Sequence, residues 1–219
     1  MKLSVLIPVF NEEQSVVRLI ERVKAVPVDK EIVVVDDCSD DRTAEVLRTV
    51  GGIRLFTHDH NQGKGAAVRT ALAHATGDVA IIQDADLEYD PDDYPALLAP
   101  FCSPKVDAVY GSRFRGRGSF LLMSRLANYL LTFLTDLLYG GCITDMETCY
   151  KAIRRPLFQS LNLTASRFDI EPEITIKLLR RGCRIVEVPI RYQARREGKK
   201  INALDGLMAC WALVRWYLK

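Results

Sequence analysis

The sequence has little with which to build a covalent staple, a leader or a membrane anchor. Its six cysteines (Cys38, Cys102, Cys142, Cys149, Cys183, Cys210) form no CxxC pair, and with three histidines they make no cluster at zinc-like spacing. The expectation is reduced thiols in a cytosolic protein. The short apolar run from Leu3 to Phe10 passes directly into Asn11-Glu12-Glu13 without a cleavage site, which reads as a strand and not a signal peptide. The most lipid-like stretch, Phe120 to Ile143, is interrupted by Arg125 and Asp136, so no uncharged run approaches the roughly 20 residues of a spanning helix. Repeats, low-complexity segments and a Pro/Gly/Ser linker are also missing, which favours one domain over 1–219. With 48% hydrophobic and 26% charged residues in a chain of 219, disorder and collagen-like structure are excluded and a sizeable core is available.

What is present is unevenly charged. Residues 1–112 hold 11 Lys+Arg against 19 Asp+Glu, and residues 113–219 hold 19 against 9, so a formal net charge of +2 conceals halves of −8 and +10. One half suits a cation and the other an anion. The first half alternates β-branched runs (3–8, 31–36, 53–57, 79–83, 106–110) with helically spaced apolar residues (12–25, 41–50, 63–75, 92–100). That alternation predicts a mostly parallel sheet flanked by helices, with ligands at the carboxyl ends of the strands. In the second half, 120–139, 169–181 and 204–218 read as helices and 148–153 and 184–192 as strands.

Polar residues follow the strands directly. Asp84 and Asp86, two apart after a buried strand, can share a divalent ion with a substrate diphosphate, or they begin a solvated acidic turn continued by Asp90, Asp92 and Asp93. An EF-hand is excluded, since its glycine position holds Tyr89 and its bidentate-glutamate position Pro95. Gly63-Lys64-Gly65 lacks Walker spacing and reads equally as a helix start. After the second strand, Ser39 to Asp41 suit a helix cap, whereas Asp37 suits a base N–H or ribose hydroxyl.

Pro8-Val9-Phe10-Asn11-Glu12, Val35-Asp36-Asp37-Cys38-Ser39, Asn61-Gln62-Gly63-Lys64-Gly65, Asp84-Ala85-Asp86 and Gly111-Ser112-Arg113-Phe114 follow one another as in glycosyltransferase family 2, which the chain resembles. Asp145 to Lys151, Glu187-Val188-Pro189-Ile190 and Arg195 to Lys200 are similar to dolichol-phosphate and polyprenyl-phosphate mannosyl- or glucosyltransferases. The resemblance implies a GT-A (Rossmann-like) α/β fold, Mg²⁺ or Mn²⁺, and inverting transfer of a hexose from a nucleotide sugar, GDP-mannose or UDP-glucose. It implies a nucleotide-sugar half (1–112) and an acceptor half (113–219). Pro8, Phe10, Glu12, Val35 and Asp37 would line the nucleoside pocket. Asp84, Ala85 and Asp86 would meet diphosphate and metal, with Glu88 beside the metal. Arg113, Arg195 and Lys200 would hold phosphates.

Asp145 is expected near the reaction, as a general base for a hydroxyl acceptor or as an orienting group for an arginine or a phosphate acceptor. Asp169 and Glu171 either face the same cleft or cap a helix. The acceptor expected from the resemblance is a polyprenyl or dolichyl phosphate, with a sugar hydroxyl as the alternative; a silent nucleotide-sugar binder docked on a membrane protein is the non-catalytic one. The apolar helices 120–139 and 204–218 are expected to lie as amphipathic, interfacial elements on the cytoplasmic membrane face, or else to be buried in the core or an oligomer interface. Nucleic acid is not an expected partner despite the Arg/Gly run 113–118, because aromatic interleaving is sparse.

Overall fold

The computed structural model describes residues 1–119 and 122–195. Its centre is a seven-stranded sheet ordered β3-β2-β1-β4-β6-β5-β7, formed by β1 (Leu3–Val9), β2 (Lys30–Asp36), β3 (Arg54–Thr57), β4 (Val79–Ile82), β5 (Ala108–Ser119), β6 (Lys151–Arg154) and β7 (Ile185–Gln193). Only β6 runs against its neighbours. The mostly parallel sheet expected from the alternating pattern is therefore present, and strands from both halves of the sequence share it.

Every residue of β1 and β4 is buried, which explains their unbroken apolar character. The helices of the first half, α1 (Val16–Ala25), α2 (Thr43–Arg48) and α3 (Lys64–Ala73), supply the crossovers between the parallel strands. α1 begins four residues later than its periodicity suggests. Asn11 adopts a positive φ of 50°, and the Glu12 carbonyl accepts from the Ser15 and Val16 N–H groups, so a turn precedes the helix.

The helix expected over 92–100 is a single α-helical segment, α4 (Tyr94–Leu98), between 3₁₀ turns at Pro91–Asp93 and Ala99–Cys102. Pro91, Pro95 and Pro100 remove the N–H groups a longer helix needs. The second half adds α5 (Leu122–Tyr139), α6 (Arg155–Ser160) and α7 (Ile170–Arg180). α6 was not anticipated, and the strand expected over 148–153 is shorter and shifted to Lys151–Arg154.

β5 runs nine residues beyond its expected end at 110 and pairs in parallel with β7, across an irregularity between Ser112 and Arg117. The Arg/Gly run lies in this extension. A Cβ at Gly116 would collide with the Ile190 carbonyl, so these glycines admit the backbone of β7. Cys38, Cys102, Cys142, Cys149 and Cys183 are all free thiols. Among the described residues, no helix is long and apolar enough to cross a membrane. The helix expected over 204–218 lies outside the described residues.

Candidate active site

The carboxyl ends of β1, β2 and β4 carry turns of unusual backbone: Asn11, Cys38 and Leu87 all have positive φ, 50°, 59° and 64°. For leucine this is a strained conformation, of a kind that collects at functional sites. Below the turn after β4, fully buried Gln83 accepts from Tyr94 Oη (2.7 Å) and Tyr150 Oη (2.6 Å) and donates to the Asp84 carbonyl at 2.9 Å. This fixes the start of Asp84-Ala85-Asp86 from beneath. Asp86 Oδ1 accepts the Glu88 N–H at 3.1 Å and closes the turn.

Lys64, at the start of α3, lies at the centre of the cluster. Its Nζ is 2.7 Å from Asp84 Oδ1 and 2.7 Å from Glu171 Oε1. Burial works against the ammonium charge, but Asp84 and Glu171 outweigh it and raise the Lys64 pKa well above its ordinary value. Glu171 is not a helix cap; Asp169 holds the cap position and its carboxylate accepts the Arg167 N–H. The sequence signal for Lys64 was its place in Asn61-Gln62-Gly63-Lys64-Gly65, where spacing alone is weak. Gly63 is required there by its φ of 93° and by the Ser166 carbonyl against which any Cβ would press.

Burial, reinforced by the negative charges of Asp84 and Glu88, raises the Asp86 pKa to about 7. A local excess of carboxylate charge of this kind fits a divalent cation. Glu88 Oε2 accepts from Tyr192 Oη at 2.6 Å and its Oε1 from the Arg195 N–H at 2.9 Å. Among the described residues no three His, Cys, Asp or Glu side chains gather around one point. Two carboxylates are enough for Mg²⁺ when substrate phosphates complete its coordination, so Asp84 and Asp86 could hold the ion, while Glu88, expected beside it, also ties Tyr192 and the Arg195 backbone to this turn.

Arg113 and Asp145 form a buried, forked pair: Arg113 Nε to Asp145 Oδ2 at 2.8 Å, Nη2 to Oδ1 at 2.7 Å, with the Arg113 N–H also donating to Oδ2 at 2.9 Å. Asp145 is fully buried and both its oxygens are engaged. Of the roles expected for it, general base and orienting group, the structure fits the second. The guanidinium carbon also lies 5.2 Å from the centre of the Tyr192 ring.

At the nucleoside end, Pro8 and Val35 sit opposite each other in the β1–β2 register, and Val35 is fully buried. Phe10 is half-buried just past β1. Asp37, expected as a ligand, ties the end of β2 to the loop between β3 and α3: Oδ1 lies 2.6 Å from His58 Nδ1 and accepts the Gln62 N–H, and Oδ2 accepts the Gly63 N–H at 2.7 Å. The unsatisfied oxygen at this strand end belongs to Asp36, whose Oδ1 accepts from Ser39 Oγ while buried Oδ2 has no partner. Glu12 binds Ser15 Oγ and Arg195 Nη1, the latter at 3.0 Å, so these two expected site residues meet as an ion pair. Ala85 is buried between the two aspartates, and Lys200 lies outside the described residues.

Residues 4–161 match Glycosyl transferase family 2. The low-salt glycan biosynthesis hexosyltransferase Agl6 of Haloferax volcanii is 31% identical over 99% of this chain, which spans only 53% of that protein. The dolichyl-phosphate hexose transferase of the same organism is 29% identical over 93% of this chain and 88% of its own. Glucosyl-3-phosphoglycerate synthase from Mycobacterium tuberculosis, crystallised with UDP, superposes with a TM-score of 0.79 at 25% identity, covering 99% of this chain and 80% of that one. Other crystals of that enzyme hold Mn²⁺ or Mg²⁺ with UDP. The parallel sheet, the aspartates at the end of β4 and the family match over most of the sequence agree, and the chain belongs to glycosyl transferase family 2.

Proposed function

We propose that this glycosyltransferase moves a hexose, mannose or glucose, from a nucleotide sugar to a polyprenyl or dolichyl phosphate, with inversion and with Mg²⁺ or Mn²⁺. The observation that carries the acceptor is the Arg113–Asp145 pair. The later carboxylate best suited by sequence to deprotonate a hydroxyl is spent on an arginine. A phosphate acceptor, with a second pKa of about 6, arrives already ionised and needs no such base. What it needs is cations that bring two anionic substrates together and align them.

Lys64, Arg113 and Arg195 supply them. Asp84 and Asp86 would hold the metal, whose positive charge would neutralise the departing diphosphate. Lys64, next to Asp84, adds a fixed positive charge on the same side of the cleft, where charge develops as the glycosidic bond breaks. Attack from the opposite face of the sugar inverts the anomeric centre. The relative named as a dolichyl-phosphate hexose transferase supports the acceptor class.

A peripheral site on the cytoplasmic membrane face accords with α5. Leu126, Leu130, Phe133 and Leu137 recur at helical spacing and are 64%, 54%, 62% and 67% exposed. The deciding experiment incubates the purified chain and labelled GDP-mannose or UDP-glucose, plus Mg²⁺ or Mn²⁺, with either undecaprenyl phosphate or an oligosaccharide. Label extracted into organic solvent, dependent on the lipid phosphate and abolished by chelator, is expected. Label transferred only to the oligosaccharide would reject the acceptor reading.

A further inference from the structure

Tyr192, near the end of β7, belongs neither to the Asp84-Ala85-Asp86 turn nor to the Arg113–Asp145 pair, yet it touches the surroundings of both. Its Oη donates to Glu88 Oε2 at 2.6 Å, and the Glu88 N–H donates in turn to Asp86 Oδ1 at 3.1 Å. Its ring lies under the Arg113 guanidinium, whose carbon is 5.2 Å from the ring centre. Tyr192 is itself held in place. The Tyr89 ring packs edge-on at 5.3 Å, and Tyr89 Oη accepts the Cys149 N–H at 3.0 Å. The next residue, Gln193, donates its N–H to the Glu88 carbonyl at 2.9 Å. On the β5 side the register partner is Gly118, where a Cβ would collide with the Tyr192 carbonyl. A side chain locked by packing in this way can fix the groups it touches.

We propose that Tyr192 is a positioning residue with two separable jobs: its hydroxyl steadies the aspartate turn through Glu88 for the metal, and its ring steadies the Arg113 guanidinium for the acceptor phosphate. This rests on the function proposed above and adds the residue that holds the metal side and the acceptor side of the site in register. A hydrogen bond to a carboxylate is of the stronger, charge-assisted kind, and with the Arg195 N–H on the other oxygen it occupies both oxygens of Glu88. The aromatic face attracts the guanidinium without adding a second carboxylate beside it, so Arg113 is oriented while its charge is cancelled no further.

The test separates the two jobs. Tyr192→Phe removes the hydroxyl and keeps the ring, whereas Tyr192→Leu removes both. Mn²⁺ binding to the full chain, with UDP or GDP present, is read from the electron paramagnetic resonance signal of free Mn²⁺. KM for undecaprenyl phosphate is measured at saturating Mn²⁺ with whichever of UDP-glucose and GDP-mannose is turned over. Tyr192→Phe should weaken Mn²⁺ binding by about 3- to 10-fold, the scale of one net hydrogen bond, and leave the acceptor KM unchanged. Tyr192→Leu should in addition raise that KM by about 5- to 30-fold, the scale of a desolvated cation–π contact. In a Glu88→Ala background, Tyr192→Phe should change Mn²⁺ binding no further, because the effect runs through Glu88. Thermal midpoints identify a variant that fails to fold, and Tyr192→Phe carries the test if Tyr192→Leu does so. Mn²⁺ binding that is unchanged in Tyr192→Phe, or tightened as a released Glu88 joins the ion, would overturn the inference. So would a rise in acceptor KM already present in Tyr192→Phe. If the unaltered chain binds no Mn²⁺ with either nucleotide, the proposed function itself is rejected, and this inference with it.

Discussion

At the scale of single residues, the site depends on buried charges that satisfy one another. Asp145→Asn keeps the shape but leaves the Arg113 guanidinium buried without its counter-charge. Breaking a pair of this kind costs about 3–5 kcal/mol, and the urea midpoint of the variant should fall accordingly. Arg113→Lys keeps a charge and loses the fork that matches Asp145, so transfer should drop even where folding survives. Lys64→Met removes the cation between Asp84 and Glu171. If Lys64 stabilises the leaving diphosphate, kcat should fall by about 10²-fold, the usual effect of deleting one preorganised donor; unchanged turnover would exclude that role. Asp84 was legible in sequence because it stands just after a strand, and Arg113 and Asp145 because of the motifs around them. Lys64 and Glu171 were not separable from a helix start and a helix cap, since a linear pattern does not say which loop faces which.

At the scale of elements, the β5–β7 pairing depends on close backbone approach. Gly116→Ala places a methyl group against the Ile190 carbonyl, and overpacking costs about 1–3 kcal/mol; a lowered thermal midpoint should register it. Glu31 ties the β1–β2 edge to the start of β4: it accepts from Ser4 Oγ and from the Thr76 and Gly77 N–H groups. Burial alone would raise its pKa, but these bonds together with Lys2 hold it down at about 2 instead of the ordinary 4.5. Because the folded value is the depressed one, Glu31 stabilises the fold above pH ~4.5, and that contribution is lost as pH falls toward 2. Acid titration of unfolding free energy should show a shallower decline over this window for Glu31→Gln. The bounds of elements were less legible than their type. Prolines shortened α4, and a backbone turn at Asn11 delayed α1, where apolar spacing ran on regardless.

At the scale of the whole molecule, the split between a −8 half and a +10 half becomes contact across one cleft. Glu12 from the first half meets Arg195 from the second, Lys64 from the first half joins Asp84 to Glu171 of the second, and Tyr192 reaches Glu88. The exposed stripe of α5 lies apart from these groups. Replacing Leu130 and Phe133 by Glu should reduce flotation with anionic liposomes, while transfer to a short, water-soluble polyprenyl phosphate stays unchanged. Loss of both would instead point to damaged folding.

The sequence by itself determined the parallel αβ architecture, because buried strands and amphipathic helices leave periodic signatures, and it singled out Asp84 and Asp86 as candidates because ligand-facing residues follow strands. Only the tertiary structure decided which charges pair. Asp145 went to Arg113, Glu88 to Tyr192 and the Arg195 backbone, Asp37 to the loop between β3 and α3, and Lys64 to the gap between Asp84 and Glu171. The insertion of β6 between β4 and β5 was likewise fixed by the fold. The physical reason is common to all of these. Pattern along a chain encodes which side of an element is apolar, whereas pairing of buried charges depends on which residues distant in sequence the fold brings within hydrogen-bonding reach.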